Sequence, residues 1–167
     1  GTIEKEMEFQ WFPGFSISQK QKSISSLHKA AEETSITPVL EISTKSRDPL
    51  GIKLSAFNLV LNHENKRYTV EAIFQSGKFF SEGGPYFDLL NESPKNTKKD
   101  QRLKTSGDLQ GFSFFGEVFS LTPKTFFYDW LYLKALNQNE NLSQKLLQYS
   151  GFTDIEFNPK KSLEPPH

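Results

Sequence analysis

Between residues 69 and 79 the sequence reads Thr69-Val70-Glu71-Ala72-Ile73-Phe74-Gln75-Ser76-Gly77-Lys78-Phe79. Just before this stretch, two short apolar runs flank His63-Glu64-Asn65-Lys66, a pattern typical of a β-hairpin with a four- or five-residue loop. We therefore predict a hairpin that is followed directly by a helix from about Val70 to Phe80. Gly83-Gly84-Pro85 is expected to end this helix and open a loop.

The N-terminal third combines short strands with a polar helix. Apolar and polar residues alternate over Glu8–Phe12, and Pro38–Ile42 is a second apolar run, so both segments are predicted strands. Between them, Ser16 or Ser18 provides an N-cap for a helix with a thin apolar stripe that includes Ile24.

The C-terminal half repeats this mixture of elements. Phe112–Phe119, interrupted by Gly116, predicts a second hairpin, and Thr122-Pro123 predicts the start of an apolar helix. A short helix through Leu142–Leu147 follows. Strands and helices are mixed without a βαβ repeat, so the predicted class is α+β: one compact domain over residues 1–167, mainly helical with short β-hairpins. The extreme ends are expected to contribute nothing to function.

The composition excludes several classes of function. Lys plus Arg and Asp plus Glu number 20 each, so polyanion binding must come from a local patch. The chain has no cysteine, which excludes disulfides, thiolate nucleophiles and Cys-based zinc sites. No apolar run approaches the roughly 20 residues of a membrane span and no signal peptide is visible, so we expect a cytoplasmic protein with no membrane partner.

Motifs for the common cofactors are missing from the sequence. The three histidines, His28, His63 and His167, have no metal-ligand spacing, and no dinucleotide, P-loop or serine-hydrolase motif is present. We expect neither a metal site nor a cofactor.

On the helix predicted after the first hairpin, Glu71, Gln75 and Lys78 fall within about 60° of one another. A carboxylate, an amide and an ammonium side by side could serve acid–base chemistry and substrate positioning. Ordinary solvated helix positions have the same spacing, and spacing alone favours that simpler interpretation.

Two further acids are candidates. Asp129 lies too deep in its predicted helix to cap it and has aromatic neighbours, so it needs either a structural hydrogen bond or a functional role. Glu156 lies in the alternating Asp154–Phe157 segment, which is more often a half-buried strand than a set of active-site carboxylates. The basic stretch Lys95–Lys104 is usually a solvated surface and only secondarily a phosphate clamp.

Taken together and in order, several segments resemble the NADAR (YbiA-like) family from about residue 52 to 160. The segments that show this resemblance are Glu71-x-x-Phe74-Gln75-x-x-Lys78-Phe79, Leu54-Ser55-Ala56-Phe57, the basic segment with Arg102, Asp129-Trp130 and Ile155-Glu156-x-Asn158-Pro159. The likeness is greater to the branch paired with DarT-type toxins, on segments such as Gly83-Gly84-Pro85-Tyr86 and Phe127–Tyr132. This ordered set outweighs the simpler interpretation of Glu71 and Lys78.

The resemblance implies an antitoxin that hydrolyses ADP-ribose off guanine bases of DNA, with the cognate toxin as a second partner. It implies Lys78, Glu71, Asp129 and Glu156 as catalytic residues and Gln75, Ser55, Phe57, Tyr86, Arg102 and Trp130 as substrate-binding residues. Together they are expected to line one cleft, with Lys78 either forming an imine or binding phosphate.

Two alternatives stay open. The protein could cleave an N-glycosidic bond in riboflavin-pathway intermediates, as other branches of the family do, or it could block its toxin by direct binding without catalysis. Ala56 stands where the family commonly has Asn, and Lys161 lies near the place of a late Asp; both departures bear more on the riboflavin branch. The acceptor could be DNA, RNA or a free nucleotide.

Overall fold

A computed structural model describes residues 4–123 and 125–156. Lys124 and the segment 157–167, which includes the late motif residues Asn158 and Pro159 and the departure at Lys161, lie outside the described residues. The chain packs as two compact units: residues 1–55 with 144–167 form the first, and residues 56–143 form the second. The predicted α+β class is confirmed.

The elements follow one another in an irregular order of short helices and strands. They are α1 (Ile17–Glu33), β1 (Val39–Glu41), α2 (Pro49–Leu54), β2 (Val60–His63), β3 (Lys66–Thr69), α3 (Val70–Ser76), β4 (Lys78–Phe80), a 3-10 helix (Phe87–Asn91), α4 (Pro94–Lys99), α5 (Arg102–Thr105), β5 (Leu109–Phe114), β6 (Glu117–Phe119), α6 (Phe126–Asn137), α7 (Glu140–Lys145), a second 3-10 helix (Leu146–Gln148) and β7 (Gly151–Thr153). Within the described part of the chain, every helix is too short or too polar to cross a bilayer.

The first unit is built on α1 and a two-stranded parallel sheet. The Oγ of Ser16 accepts a hydrogen bond from the backbone N–H of Gln19 at 3.2 Å, which confirms the predicted N-cap of α1. Strand β1 confirms the second predicted strand, and its Leu40 lies opposite Phe152 of β7. Buried side chains of α1 and β1, including Ile24 and Leu40, contribute to the core of this unit.

The prediction of a strand over Glu8–Phe12 is wrong. The backbone N–H of Gln10 donates to the Oγ of Ser26 at 2.8 Å, and that of Phe12 donates to the Oγ of Ser23 at 2.9 Å. Serine hydroxyls on one side of α1 therefore satisfy the backbone donors that a neighbouring strand would otherwise satisfy.

In the second unit, β2 and β3 form the predicted hairpin, but its loop is shorter than predicted. Only Glu64 and Asn65 separate the strands, with φ of 50° and 64°. A two-residue turn with positive φ at both positions matches the twist of the paired strands. Glu at the first position is uncommon in such turns, so the residue types alone did not predict a two-residue turn.

Helix α3 follows β3 directly, as predicted, with the Oγ1 of Thr69 accepting from the N–H of Ala72 at 3.1 Å. It ends at Ser76 rather than near Phe80, so the predicted C-terminal limit is wrong. The reason is long-range pairing: the N–H of Ser113 on β5 donates to the carbonyl of Gly77 at 2.8 Å. A Cβ on Gly77 would clash with the Ser113 carbonyl oxygen, so only glycine permits this approach.

The second hairpin, β5–β6, is confirmed, and Gly116 lies in its turn with φ of 93°. The predicted start of the next helix at Thr122-Pro123 is wrong, because α6 begins at Phe126. The Oγ of Ser120 accepts from the Thr122 N–H at 2.9 Å and donates to the Thr122 carbonyl at 3.1 Å. This side chain holds Thr122 in a local turn ahead of the helix.

Aromatic rings fill the space between α3, α6 and the sheet β4–β5–β6. The ring of Phe74 stacks on Phe112 at 5.3 Å and on Phe127 at 6.2 Å between centroids, and Phe112 stacks on Phe127 at 4.8 Å. Because stacked rings have preferred geometries, this cluster fixes the position of α3 relative to the sheet.

Candidate active site

The buried face of α3 carries a hydrogen-bonded pair of polar side chains. Glu71 and Gln75 are 6% and 7% exposed, and the Nε2 of Gln75 donates to the Oε1 of Glu71 at 2.8 Å. Among the residues that the structure describes, no hydrogen bond reaches the Oε2 of Glu71. The hydrogen bond from Gln75 therefore orients the carboxylate through Oε1.

Lys78 lies on β4, one residue beyond Gly77, so the prediction that it shares a helix with Glu71 and Gln75 is wrong. Its side chain nevertheless reaches back toward α3, with the Nζ 4.9 Å from the centre of the Phe74 ring. An ammonium over an aromatic face is stabilised by the ring quadrupole. The structure thus brings Lys78 to the helix that carries the carboxylate and the amide, by a route that the spacing did not predict.

The turn that resembles a family motif begins at the end of α2 and runs into the second unit. Ser55 is buried and follows the last residue of α2. The carbonyl of Ala56 accepts from the backbone N–H of Glu71 at 3.0 Å, which anchors the turn to the first residues of α3. Phe57 is half-buried, and the Nζ of Lys98 lies 5.2 Å above its ring.

Arg102 and Tyr86 lie together, but the guanidinium is already engaged. It donates to Asp88 at 2.7 Å and to Asp100 at 3.0 Å, and its carbon lies 4.5 Å from the centre of the Tyr86 ring. Hydrogen bonds to the two carboxylates raise the pKa of Arg102, and the hydrogen bonds from Arg102 lower the pKa of Asp88 and of Asp100. Tyr86 also contacts Ser106 through its hydroxyl. A diphosphate at Arg102 would have to displace one of the carboxylates.

Asp129 and Trp130 lie on successive positions of α6. Asp129 is exposed, and its Oδ2 accepts a hydrogen bond from the Oγ1 of Thr125 at 3.0 Å, one turn earlier. Trp130 is half-buried, with its ring 5.0 Å from Phe114 and 4.8 Å from Phe119. Asp129 therefore has the structural hydrogen bond that was one of its two interpretations, and Trp130 already packs on the sheet.

In the first unit, Glu156 follows β7 in a turn. One carboxylate oxygen, Oε1, accepts a hydrogen bond from the backbone N–H of Thr44, and the backbone N–H of Glu156 donates to Asp154 at 3.0 Å. Glu156 is half-buried, and its side chain links the segment after β7 to the segment after β1.

Sequence reasoning missed a more deeply buried acid in the same unit. Glu41, 2% exposed at the end of β1, accepts from the Thr153 hydroxyl at 2.7 Å and from the Ile155 N–H at 3.0 Å. Burial raises the pKa of Glu41, and the negative charge of Glu156 adds to this, while the hydrogen bonds that it accepts act in the opposite direction. An acid at the end of an apolar strand was the available signal, but strand alternation produces the same pattern.

A histidine extends this arrangement. The Nε2 of His28 on α1 lies 2.8 Å from the Oγ1 of Thr153. With Glu41 ionised, the Thr153 proton goes to Glu41, so the Oγ1 accepts the proton of His28 Nε2–H. Burial lowers the pKa of His28. The three side chains form one hydrogen-bonded line through the first unit.

Two surface depressions in the described part of the second unit are lined by residues other than the predicted ones. One of about 570 Å³ at the end of α6 is lined by Asn137–Leu142, and a narrower one is lined mainly by residues of α3, the first 3-10 helix and β5. No group of three or more His, Asp or Glu side chains within 4–123 and 125–156 could hold a metal ion. The common cleft stays a prediction, because Ser55 and Glu156 belong to the first unit and the other predicted residues to the second.

A protein-family model matches nearly the whole chain. Residues 2–165 match the family model described as DarT1-associated NADAR antitoxin. No curated protein matches the sequence significantly. The chain belongs to this family of antitoxins, which is named for its association with the DarT1 toxin.

Proposed function

Because the chain belongs to the DarT1-associated NADAR antitoxins, we propose that it removes ADP-ribose from guanine bases of DNA by hydrolysing an N-glycosidic bond. The modification is the one that a DNA ADP-ribosyltransferase toxin would leave. The observation that carries the proposal is the buried Glu71 carboxylate, which Gln75 orients and which shares helix α3 with Phe74, the ring that Lys78 covers. Burying a carboxylate and an amide costs free energy of desolvation, and a role in binding a polar substrate would explain why they are buried.

The reaction breaks the bond between the anomeric carbon of the ribose and the exocyclic nitrogen of guanine. The bonding electrons leave with the nitrogen, which takes a proton from a general acid, while positive charge develops on the ribose carbon. Water then adds its oxygen to that carbon and gives a proton back to the same group. We assign this acid–base role to Glu71, which Gln75 holds in place at 2.8 Å.

Lys78 offers a second route through the same bond. If the ribose ring opens, the neutral amine of Lys78 adds to the carbonyl-level carbon, guanine leaves with a proton, and the resulting imine is hydrolysed by water. Its Nζ lies 4.9 Å from the centre of the Phe74 ring, on the helix that carries Glu71.

The remaining predicted residues are assigned to binding. Gln75 orients both Glu71 and the sugar, Asp129 and Glu156 bind ribose hydroxyls or orient water, and Ser55 and Phe57 border the ribose. Tyr86 and Trp130 provide rings for stacking, and Arg102 binds the diphosphate by exchanging one of its two aspartate partners.

The decisive assay incubates the protein with an oligonucleotide that carries ADP-ribosylated guanine and measures free ADP-ribose, with and without excess chelator. We expect release of ADP-ribose in both conditions. A protein that suppresses its toxin without any release would instead be an antitoxin that acts by direct binding.

Lys78→Arg tests the role of the lysine, because Arg keeps the charge and binds phosphate at least as well but is not a nucleophile. If Lys78 forms the imine, borohydride should trap a covalent adduct in the parent protein, and Lys78→Arg should abolish both the adduct and turnover. If Lys78 only binds phosphate, Lys78→Arg should retain much of the activity. Lys20→Arg is the matched control, since the Nζ of Lys20 lies 4.8 Å over the ring of Trp11 in a comparable contact. Full activity in Lys78→Arg would exclude the imine mechanism and leave Glu71 as the principal catalytic residue.

A further inference from the structure

Helix α4 presents three lysines on one face. Lys95, Lys98 and Lys99 lie at positions i, i+3 and i+4, within an arc of about 100°, and all three are exposed. Thr97, which is fully buried, turns the other way and donates to the carbonyls of Leu89 and Ser93 at 3.0 Å each. The fold therefore fixes which side of α4 faces outward, and that side carries only positive charge.

Within the described part of the chain, none of the three lysines forms an ion pair. Helix α4 itself carries no carboxylate, although Glu92 lies three residues before Lys95, ahead of the helix. Asp100, which follows the helix, is bound by the guanidinium of Arg102 instead. Lys98 and Lys99 in the last turn complement the helix dipole. Lys95 lies near the other end and faces both of them as like charges at i+3 and i+4, which disfavours the helix. In a chain of net charge zero, the three lysines form a strictly local positive surface.

This lysine face borders the proposed catalytic residues. The Nζ of Lys98 lies 5.2 Å from the centre of the Phe57 ring. The preceding residue, Ala56, accepts the backbone hydrogen bond of Glu71 at 3.0 Å. A polymer with its modified base at Glu71 would therefore have its neighbouring backbone within reach of α4.

We propose that the lysine face Lys95, Lys98 and Lys99 binds the phosphates that flank the modified guanine in the DNA strand. The inference rests on the proposed function. Lysine ammonium groups are compact point charges that bind phosphates without reading bases. The contact would therefore fix the strand against the protein and leave recognition of the ADP-ribosyl guanine to the site at Glu71.

The test compares two substrates of the same chemistry. One is ADP-ribosylated guanosine, and the other is a single-stranded DNA oligonucleotide with the same modification. In the triple variant Lys95→Gln, Lys98→Gln and Lys99→Gln, we expect KM for the oligonucleotide to rise roughly 10- to 50-fold with kcat unchanged, and KM for the nucleoside to stay the same. The slope of log kcat/KM against log salt should become shallower by about 2, since each lost single-strand contact accounts for about 0.7.

A matched control removes the same charge elsewhere. Lys22→Gln, Lys29→Gln and Lys145→Gln neutralise three other exposed lysines and should leave both KM values unchanged. An equal rise in KM for both substrates would overturn the inference, because the lysines would then bind the diphosphate of the ADP-ribose itself. Unchanged KM for both would overturn it as well.

A binding measurement separates this inference from the proposed reaction. Fluorescence anisotropy with unmodified single-stranded DNA needs no turnover, and the parent protein should bind with the steeper salt dependence that the triple variant loses. If the parent protein turns over neither substrate, the proposed function fails. The anisotropy measurement would still show whether the lysine face binds DNA. Loss of toxin binding in the variant with unchanged DNA binding would assign the face to the toxin instead and overturn the inference.

Discussion

Both compact units bury a glutamate, and the two carboxylates are held in different ways. Glu41 in the first unit accepts hydrogen bonds from Thr153 and Ile155, more than 110 positions further along the chain. Glu71 in the second unit accepts one from Gln75, four positions away on the same helix. The Glu41 carboxylate connects β1 to Thr153 and to the segment after β7. Among the described residues, the Glu71 carboxylate is hydrogen-bonded within α3. Burial of Glu41 is thus explained by the fold, and burial of Glu71 is better explained by function.

The largest effect that we predict is a loss of activity on substitution of Glu71, and it tests the functional half of this comparison. Glu71→Gln keeps the size of the side chain and a partner for Gln75 but removes the proton-transfer group. We expect the release of ADP-ribose to fall about 10²- to 10⁴-fold, the usual contribution of general acid–base catalysis. Thermal unfolding should change little, because the amide oxygen of the new side chain can still accept the hydrogen bond from Gln75. A variant of reduced stability and full activity would reverse the roles assigned to the two glutamates.

The next effect concerns the stability of the first unit. Glu41→Leu removes the acceptor of the Thr153 hydroxyl and of the Ile155 N–H, and we expect unfolding free energy to fall by about 2 kcal/mol, within the range for buried donors left unpaired. Glu41→Gln retains one acceptor oxygen and should be affected less. Urea unfolding of both variants provides the measurement. Equal stability of Glu41→Leu and the parent protein would mean that Glu41 is not a structural connection.

The smallest effect is a dependence of stability on pH. Burial lowers the pKa of His28, so the unfolded chain binds a proton more readily than the folded protein does. Stability from this group is present above the ordinary histidine pKa of about 6.5 and is lost as pH falls through the lowered value. His28→Gln keeps a donor for Thr153, and Tm measured across this range should fall less on acidification than in the parent. Parallel curves for the two proteins would show that His28 does not titrate on unfolding.

Local patterns in the sequence predicted the class, the two hairpins and the cap of α1, because each depends on residues that are close in the chain. The end of α3 could not be predicted in this way, since Gly77 is compatible with a helix interior until its carbonyl pairs with Ser113 on β5. Glu41 escaped notice for the same reason: its partners are set by the pairing of β1 with β7. The family was predicted from an ordered set of motifs and is confirmed over residues 2–165.

The close approach at Gly77 also limits how the gene can change in length. Successive side chains of a strand point to opposite faces, whereas one extra residue in a helix rotates the following side chains by about 100°. Because Lys78 is the first residue of β4, directly opposite Phe112, an insertion or deletion just before it would move the amine to the other face of the sheet. Substitutions around the site can accumulate gradually. The insertion or deletion of a single codon between Glu71 and Lys78 would instead turn the Lys78 amine away from α3, the helix that carries Glu71.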